Sequence, residues 1–358
     1  MARFPKFAAA LMAASGGVAL LLAAHLSADP ALAQANSPRA AVLRPTSAPY
    51  IDGHTHIDQR DPENAVALLL SAMERLNMAK TFIQTEPYGP DNPGAWDAEL
   101  TLPAIGKHPD RLAALGGGGT LNPMLIEAQR TGNAGPEVQK KFRERAEDLL
   151  RKGIVGFGEM SIEHLSLPQS PVKDYEYAAA DSPLMLLLAD IAAEHNVPID
   201  LHMEALPQTI PTPAEYGPPN PPRLQGNIAA FERLLAHNPR AKIIWAHAGS
   251  DNIGFRSPDL MRPMLQRHPN LYLEIKYDPN FPGKDPPIAD GKLKPEWLKL
   301  YQDFPDRFLI GSDQHFDPPA TVPLARAQQN ALLLNQLPEG LRRKIGMENA
   351  LAIYSSRR

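Results

Sequence analysis

Tyr50-Ile51-Asp52-Gly53-His54-Thr55-His56-Ile57 is a short β-prone run whose chemistry-bearing residues gather towards its C-terminal end. Seven further runs of this kind follow, at about 79–86, 112–119, 153–160, 197–204, 241–248, 270–277 and 307–314. The third is the weakest strand, because its four consecutive glycines suit close backbone approach better than sheet packing. Helical patterns lie between the runs. Ala65, Leu68, Leu69, Ala72, Met73 and Leu76 keep the i, i+3, i+4 rhythm behind Pro62. Similar segments lie near 95–107, 136–151, 184–195, 226–237, 258–267, 295–303 and 321–336. Strands alternating with single helices imply parallel βαβ units, and eight such units predict an α/β fold of the closed (β/α)8 TIM-barrel type. No Gly-x-Gly-x-x-Gly follows the first run, which speaks against the open dinucleotide-binding sheet.

A chain of 358 residues would allow two domains, but one barrel with insertions also reaches this length. Its composition, 43% hydrophobic and 21% charged, is that of a globular protein. The net charge of −4 argues against nucleic acid as a partner. There is no cysteine, which excludes disulfides, thiolate nucleophiles and iron–sulfur clusters. Any metal site must be built from histidine and carboxylate. Proline is the outlier: 38 residues is about twice the usual ~5%. Much of that excess falls in extended βα loops at 161–182, 205–224 and 278–294. Proline narrows the unfolded ensemble, so such loops predict a rigid rim around a pocket. Plain surface loops are the alternative.

The first 35 residues read as an address. Arg3 and Lys6 precede the apolar run Phe7 to Leu26, and Ala31-Leu32-Ala33-Gln34-Ala35 offers small-x-small cleavage after Ala33 or Ala35. The expectation is a signal peptide at 1–35, a flexible lead-in at 36–49 and a barrel domain at 50–358. The protein is then exported, periplasmic or secreted, without stable membrane association after cleavage. An uncleaved anchor is the alternative, since the run approaches the ~20 residues a span requires.

Of the eleven histidines, four stand at helix ends just before strands: His108, His195, His237 and His268. An imidazole suits the negative end of a helix dipole, and these belong to the barrel face away from a site. Others fall at the C-terminal ends of runs. His54 and His56 are two apart, so both can face the barrel axis. His202 ends run five, His247 run six, Asp313 run eight and Glu159 run four. Imidazole and carboxylate suit Zn²⁺, with Mn²⁺ or Fe²⁺ as alternatives. The set fits one or two divalent ions, with Glu159 as the natural bridge. A bound divalent ion lowers the pKa of water towards ~7. Asp313 is then placed to act as general base. No Gly-x-Ser-x-Gly elbow is present.

The ordered motifs DGHTHID, GFGEM, LHMEA, WAHAG and GSDQH resemble the amidohydrolase superfamily, specifically its amidohydrolase-related metal-dependent hydrolases. KHPDRLAAL, PNLYLEIKY, DRFLIGSD and ENALAIY resemble it too, so the likeness spans roughly 50–354. It implies a metal-dependent barrel hydrolase with His54, His56, His202, His247 and Asp313 in the metal and catalytic set. Relatives carry a carbamylated lysine, a glutamate or no ligand at strand four; here Glu159 stands there. The expected reaction is attack of metal-activated water on an amide, ester or lactone of a small molecule. Alternatives are a metal-dependent non-oxidative decarboxylase and a catalytically silent barrel that acts as a binding protein. Homo-oligomers are compatible with either.

Further polar residues invite roles. Lys276, His315 and His164 are candidates for substrate binding. Lys276 could instead form a buried structural pair with Glu274, and His315 and His164 could simply be solvated loop residues. Trp245 shares the parity of His247 and reads as inward-facing barrel filler. Asp52 shares the parity of His54 and reads as a partner of a metal-bound imidazole or a buried hydrogen-bonding group.

Overall fold

The computed structural model describes residues 48–92, 96–167, 174–318 and 324–355. The expected signal peptide and residues 36–47 of the lead-in lie outside them. So do parts of the segments 95–107, 161–182 and 321–336.

Eight parallel strands make the frame: β1 Tyr50–Ile57, β2 Met78–Ile83, β3 Leu112–Ala114, β4 Phe157–His164, β5 Pro198–Met203, β6 Lys242–Ala248, β7 Leu271–Ile275 and β8 Phe308–Ile310. Each pairs with its neighbour in sequence, and β8 pairs back onto β1 through Asp52 and Ile310. The ring closes at β3, which is broken at Leu115. Its first half pairs with β2 through Thr81 and Leu112, and the continuation Gly116–Gly117 pairs with β4. Leu115 N–H donates to Ile83 O and Val155 N–H to Ala114 O, so the hydrogen bonding runs around the gap. The glycine run therefore carries the weak third strand, as its composition suggested.

Helices cover the outside. Pro62, Pro136, Pro183, Pro258 and Pro295 each start one, where a missing N–H costs nothing. Ser182 and Ser257 accept from the third residue of the helices they precede. Asn77 and Asn196 end theirs in the left-handed region, with φ of 58° and 54°. The proline excess thus serves helix starts as well as loops. The segment near 95–107 is not one helix but a 3₁₀ turn Ala98–Leu100 and a short helix Leu102–Ile105, because Pro103 fits only a first turn. A helix unforeseen in the sequence, Leu121–Thr131, follows the glycines and ends at Gly132.

β4 begins later than the reading at 153–160. Gly153 caps the helix Pro136–Lys152 with φ 110°, and the ladder starts only at Phe157. Glu159 is accordingly the third residue of its strand rather than the last. β8 is likewise shorter than 307–314, and residues 311–313 leave the ladder.

The C-terminal helix Asn349–Tyr354 closes the bottom of the barrel. Asn349 donates to Phe308 O at the start of β8, and Lys242 at the start of β6 donates to Ile353 O. Tyr354 stacks on Phe82 and packs among Ile51, Leu115, Ile244 and Leu309 inside the ring. At the other end, two proline-rich loops carry small antiparallel pairs, Ile210–Pro211 with Arg223–Leu224 and Ile288–Ala289 with Lys292–Leu293. Leu224 and Leu206 are buried there with Leu165. Among the described residues no helix is long and apolar enough to cross a membrane.

Candidate metal centre

The C-terminal side of the barrel brings His54, His56, Glu159, His202, His247 and Asp313 together. His54 Nε2 and His56 Nε2 lie 3.0 Å apart, and Asp313 Oδ1 lies 3.2 Å from His56 Nε2. Glu159 Oε2 stands 3.6 Å from both imidazole nitrogens. Its other oxygen, Oε1, lies 2.7 Å from His202 Nδ1 and 3.1 Å from His247 Nε2, which are themselves 3.1 Å apart. One carboxylate therefore addresses two donor groups, one with each oxygen.

Two of these residues reach the site by leaving strand geometry. His247 and Asp313 have φ of 65° and 52°, in the left-handed region that side-chain-bearing residues rarely adopt. The kink at His247 breaks the alternation, so Trp245 does not share its face. Trp245 instead packs edge-on against Phe231 of the helix Ile228–His237, outside the barrel, which corrects the inward assignment. Asp52 accepts from the backbone N–H groups of His54 and Ser312 and so braces the chain beneath the site.

The rings are oriented from behind. Nδ1 of His56 meets Gln84 O at 3.1 Å, and Nδ1 of His54 meets the Glu274 carboxylate at 3.0 Å. Asp200 stands 3.6 Å from the same nitrogen and accepts from Gln84 Nε2. With Nδ1 donating, each Nε2 keeps its lone pair for the cavity. Glu274 does not form the structural pair with Lys276. Lys276 turns to Asp313, its Nζ 2.5 Å from Oδ2, and Arg326 Nη1 lies 2.9 Å from the same oxygen. Only glycine leaves room for the Glu274 carboxylate at position 311, where a Cβ would meet it at 1.9 Å.

Electrostatics fit a cation. Burial opposes charge on His54, yet Glu274, Asp200 and Glu159 outweigh it and raise its pKa well above the ordinary value. The same carboxylates favour any positive charge placed there. Burial raises the Glu159 carboxyl, but His54, His202 and His247 overcome it and hold it well below. Burial likewise raises Asp313, and Lys276 and Arg326 reverse that, so it is held as a carboxylate. Ligands at about 2.0–2.1 Å from one ion stand about 3.0–3.4 Å from one another. The donor separations of 2.7–3.9 Å within each group bracket that spacing. The residues present therefore fit divalent metal.

Above the donors opens a cavity of about 550 Å³, within the range of small-molecule sites. His164, Lys276 and His315 line it, as do Phe281, Glu204 and Arg326. His315 stacks on His56 with centroids 4.5 Å apart, and His164 packs on His202 at 4.6 Å. The four histidines set aside at helix ends stay away from the cavity lining. His237 and His268 pair with Asp190 and Glu232. Sequence reasoning missed Asp200, Arg326, Arg256 and Gln84. Asp200 had a signal: it stands two residues before His202, the spacing that joined His54 to His56.

A (β/α)8 barrel with buried histidines and carboxylates at its C-terminal strand ends is the frame of a metal-dependent enzyme. The amidohydrolase family model matches residues 51–355, and the chain belongs to that family. Similar solved structures include amidohydrolase 2 from Bifidobacterium longum subsp. infantis, at 13% identity and TM-score 0.44, covering 87% of this chain and 100% of that one. A variant of the organophosphorus hydrolase from Deinococcus radiodurans is 13% identical with TM-score 0.48, covering 88% and 94%. A uronate isomerase from Bacillus halodurans is 12% identical with TM-score 0.48, covering 82% and 69%. No curated protein matches the sequence at a significant level.

Proposed function

We propose that the protein is a hydrolase that cleaves an amide, ester or lactone bond of a small molecule with the help of two divalent ions. The observation that carries this reading is the split of Glu159, whose Oε2 faces His54 and His56 while Oε1 faces His202 and His247. His54, His56 and Asp313 would hold one ion, His202 and His247 the other, with Glu159 between them. Such ions acidify water and polarise the oxygen of a scissile bond. Zinc is the first candidate, since the donors are nitrogen and carboxylate oxygen and no soft ligand is present.

The protein's own groups supply the rest. Asp313 keeps Oδ2 engaged by Lys276 and Arg326, which leaves Oδ1 facing the imidazoles. Oδ1 takes the proton of the attacking water and returns it to the leaving group. Lys276, His315 and His164 line the cavity where the substrate would sit, and Phe281 offers an apolar contact at the rim. Export rests on the sequence of residues 1–35, and an amino terminus at residue 34 or 36 in secreted material would bear it out.

The test is product analysis in ¹⁸O-labelled water across ester, lactone and amide panels. The reading expects label in the product at one atom per turnover. Release of CO₂ with no label in the organic product would replace it with a decarboxylase. Turnover of nothing by fully metal-loaded protein would favour a binding role.

A further inference from the structure

β5 and β6 stop pairing just before they deliver their ligands. Their ladder runs from Lys242 and Pro198 to Trp245 and Leu201 and ends there. Beyond it stand His202 and Met203 on one strand, and Ala246 and His247 on the other. His247 has already turned into the left-handed region. The register between the two strands does not extend across these segments, yet both imidazoles must meet the same oxygen of Glu159.

A side chain from outside the barrel spans the gap. Arg256 lies 1% exposed in the segment after β6. Its Nη1 donates to Ala246 O and its Nη2 to Met203 O, the latter at 2.8 Å. These two carbonyls belong to the residues flanking His247 and His202. The guanidinium lies over the Trp245 ring at 5.1 Å, and Trp245 Nε1 donates to Met203 O at 2.9 Å. Arg256 is itself fixed: its backbone N–H donates to Asp251 Oδ2, and Glu204 Oε2 lies 3.8 Å from Nη2. Two carbonyl acceptors on two strands require a planar fork. A lysine ammonium is a single point on a flexible stem and lacks the fixed pair of separate N–H groups that meets both.

We propose that Arg256 is the positioning residue of the His202–His247 half of the site, a clamp that replaces the missing ladder. The geometric part stands without metal. The part that concerns ion retention rests on the two-ion reading above.

The experiment compares the parent full-length protein with Arg256→Lys, and with Trp245→Phe as a milder variant that leaves a smaller aromatic ring beneath the guanidinium and removes one donor to Met203 O. Hydrogen exchange is measured first on metal-free protein. The clamp predicts exchange at least tenfold faster in peptides covering 201–205 and 245–250 of Arg256→Lys, with peptides covering 52–57 and 310–316 unchanged. Trp245→Phe moves the same peptides less. Unchanged exchange at 201–205 and 245–250, or an equal rise over every strand, overturns the assignment. Zinc retention is then measured against graded chelator. The expected result is loss of one equivalent at a chelator strength 10–100-fold lower than in the parent, with the other equivalent held as before. Parallel loss of both equivalents, or retention of both as in the parent, overturns the clamp. A parent that never takes a second ion overturns the two-ion reading instead, and the exchange result alone then decides for or against Arg256.

Discussion

The Glu274 carboxylate lies 3.0 Å from Nδ1 of His54, on the opposite edge of the ring from the Nε2 that meets His56. Both residues are wholly buried. A carboxylate in that place accepts the Nδ1 proton, fixes the tautomer and leaves Nε2 as a free donor to a metal. Glu274→Gln keeps the volume and removes the charge. It should weaken metal retention by at least about tenfold in chelator competition while the apo protein stays folded. Metal affinity equal to the parent's would show that the contact is incidental.

Asp313 is gripped at Oδ2 by Lys276 and Arg326, which keeps it charged and its other oxygen in place. Asp313→Asn retains the shape and loses the proton acceptor. Turnover should fall by at least ~10²-fold on whichever substrate the parent hydrolyses, with an intact circular dichroism spectrum. Near-normal kcat would remove the proposed role.

Glu163 offers a pH test away from the donors. Burial pushes its carboxyl up to about 7, against the opposing hydrogen bonds from Tyr175 and Asn227. For a carboxyl raised on folding, stability is greatest below the unfolded pKa near 4.5 and is lost as pH rises through about 7. The sign is therefore the reverse of the usual ion-paired carboxylate. Glu163→Gln should melt progressively higher relative to the parent as pH is raised from 5 to 8. A difference in Tm that stays flat across that range would contradict the assignment.

The sequence made the barrel and the donor set legible because apolar runs ended in polar residues at the same relative height. His54, His56, His202, His247 and Asp313 could be found that way, and all five meet in the structure. Parity failed wherever the backbone left strand geometry. The left-handed turn at His247 separates its face from that of Trp245, and no run of residue types announces such a turn. The supports were harder still. Arg326 and Arg256 come from segments outside the strands and reach the site across space, and Glu274 finds His54 from 220 residues away. Periodicity places residues on a face of one element and carries nothing about partners on another.

In the proposed two-ion site Glu159 stands between the His54–His56 and His202–His247 halves. Metal equivalents per chain by elemental mass spectrometry test it most directly, on protein reconstituted with Zn²⁺ or Mn²⁺, beside a His54→Ala/His56→Ala double variant. Close to two equivalents are expected in the parent and at most one in the variant. A parent that retains one equivalent or none after reconstitution would overturn the two-ion site.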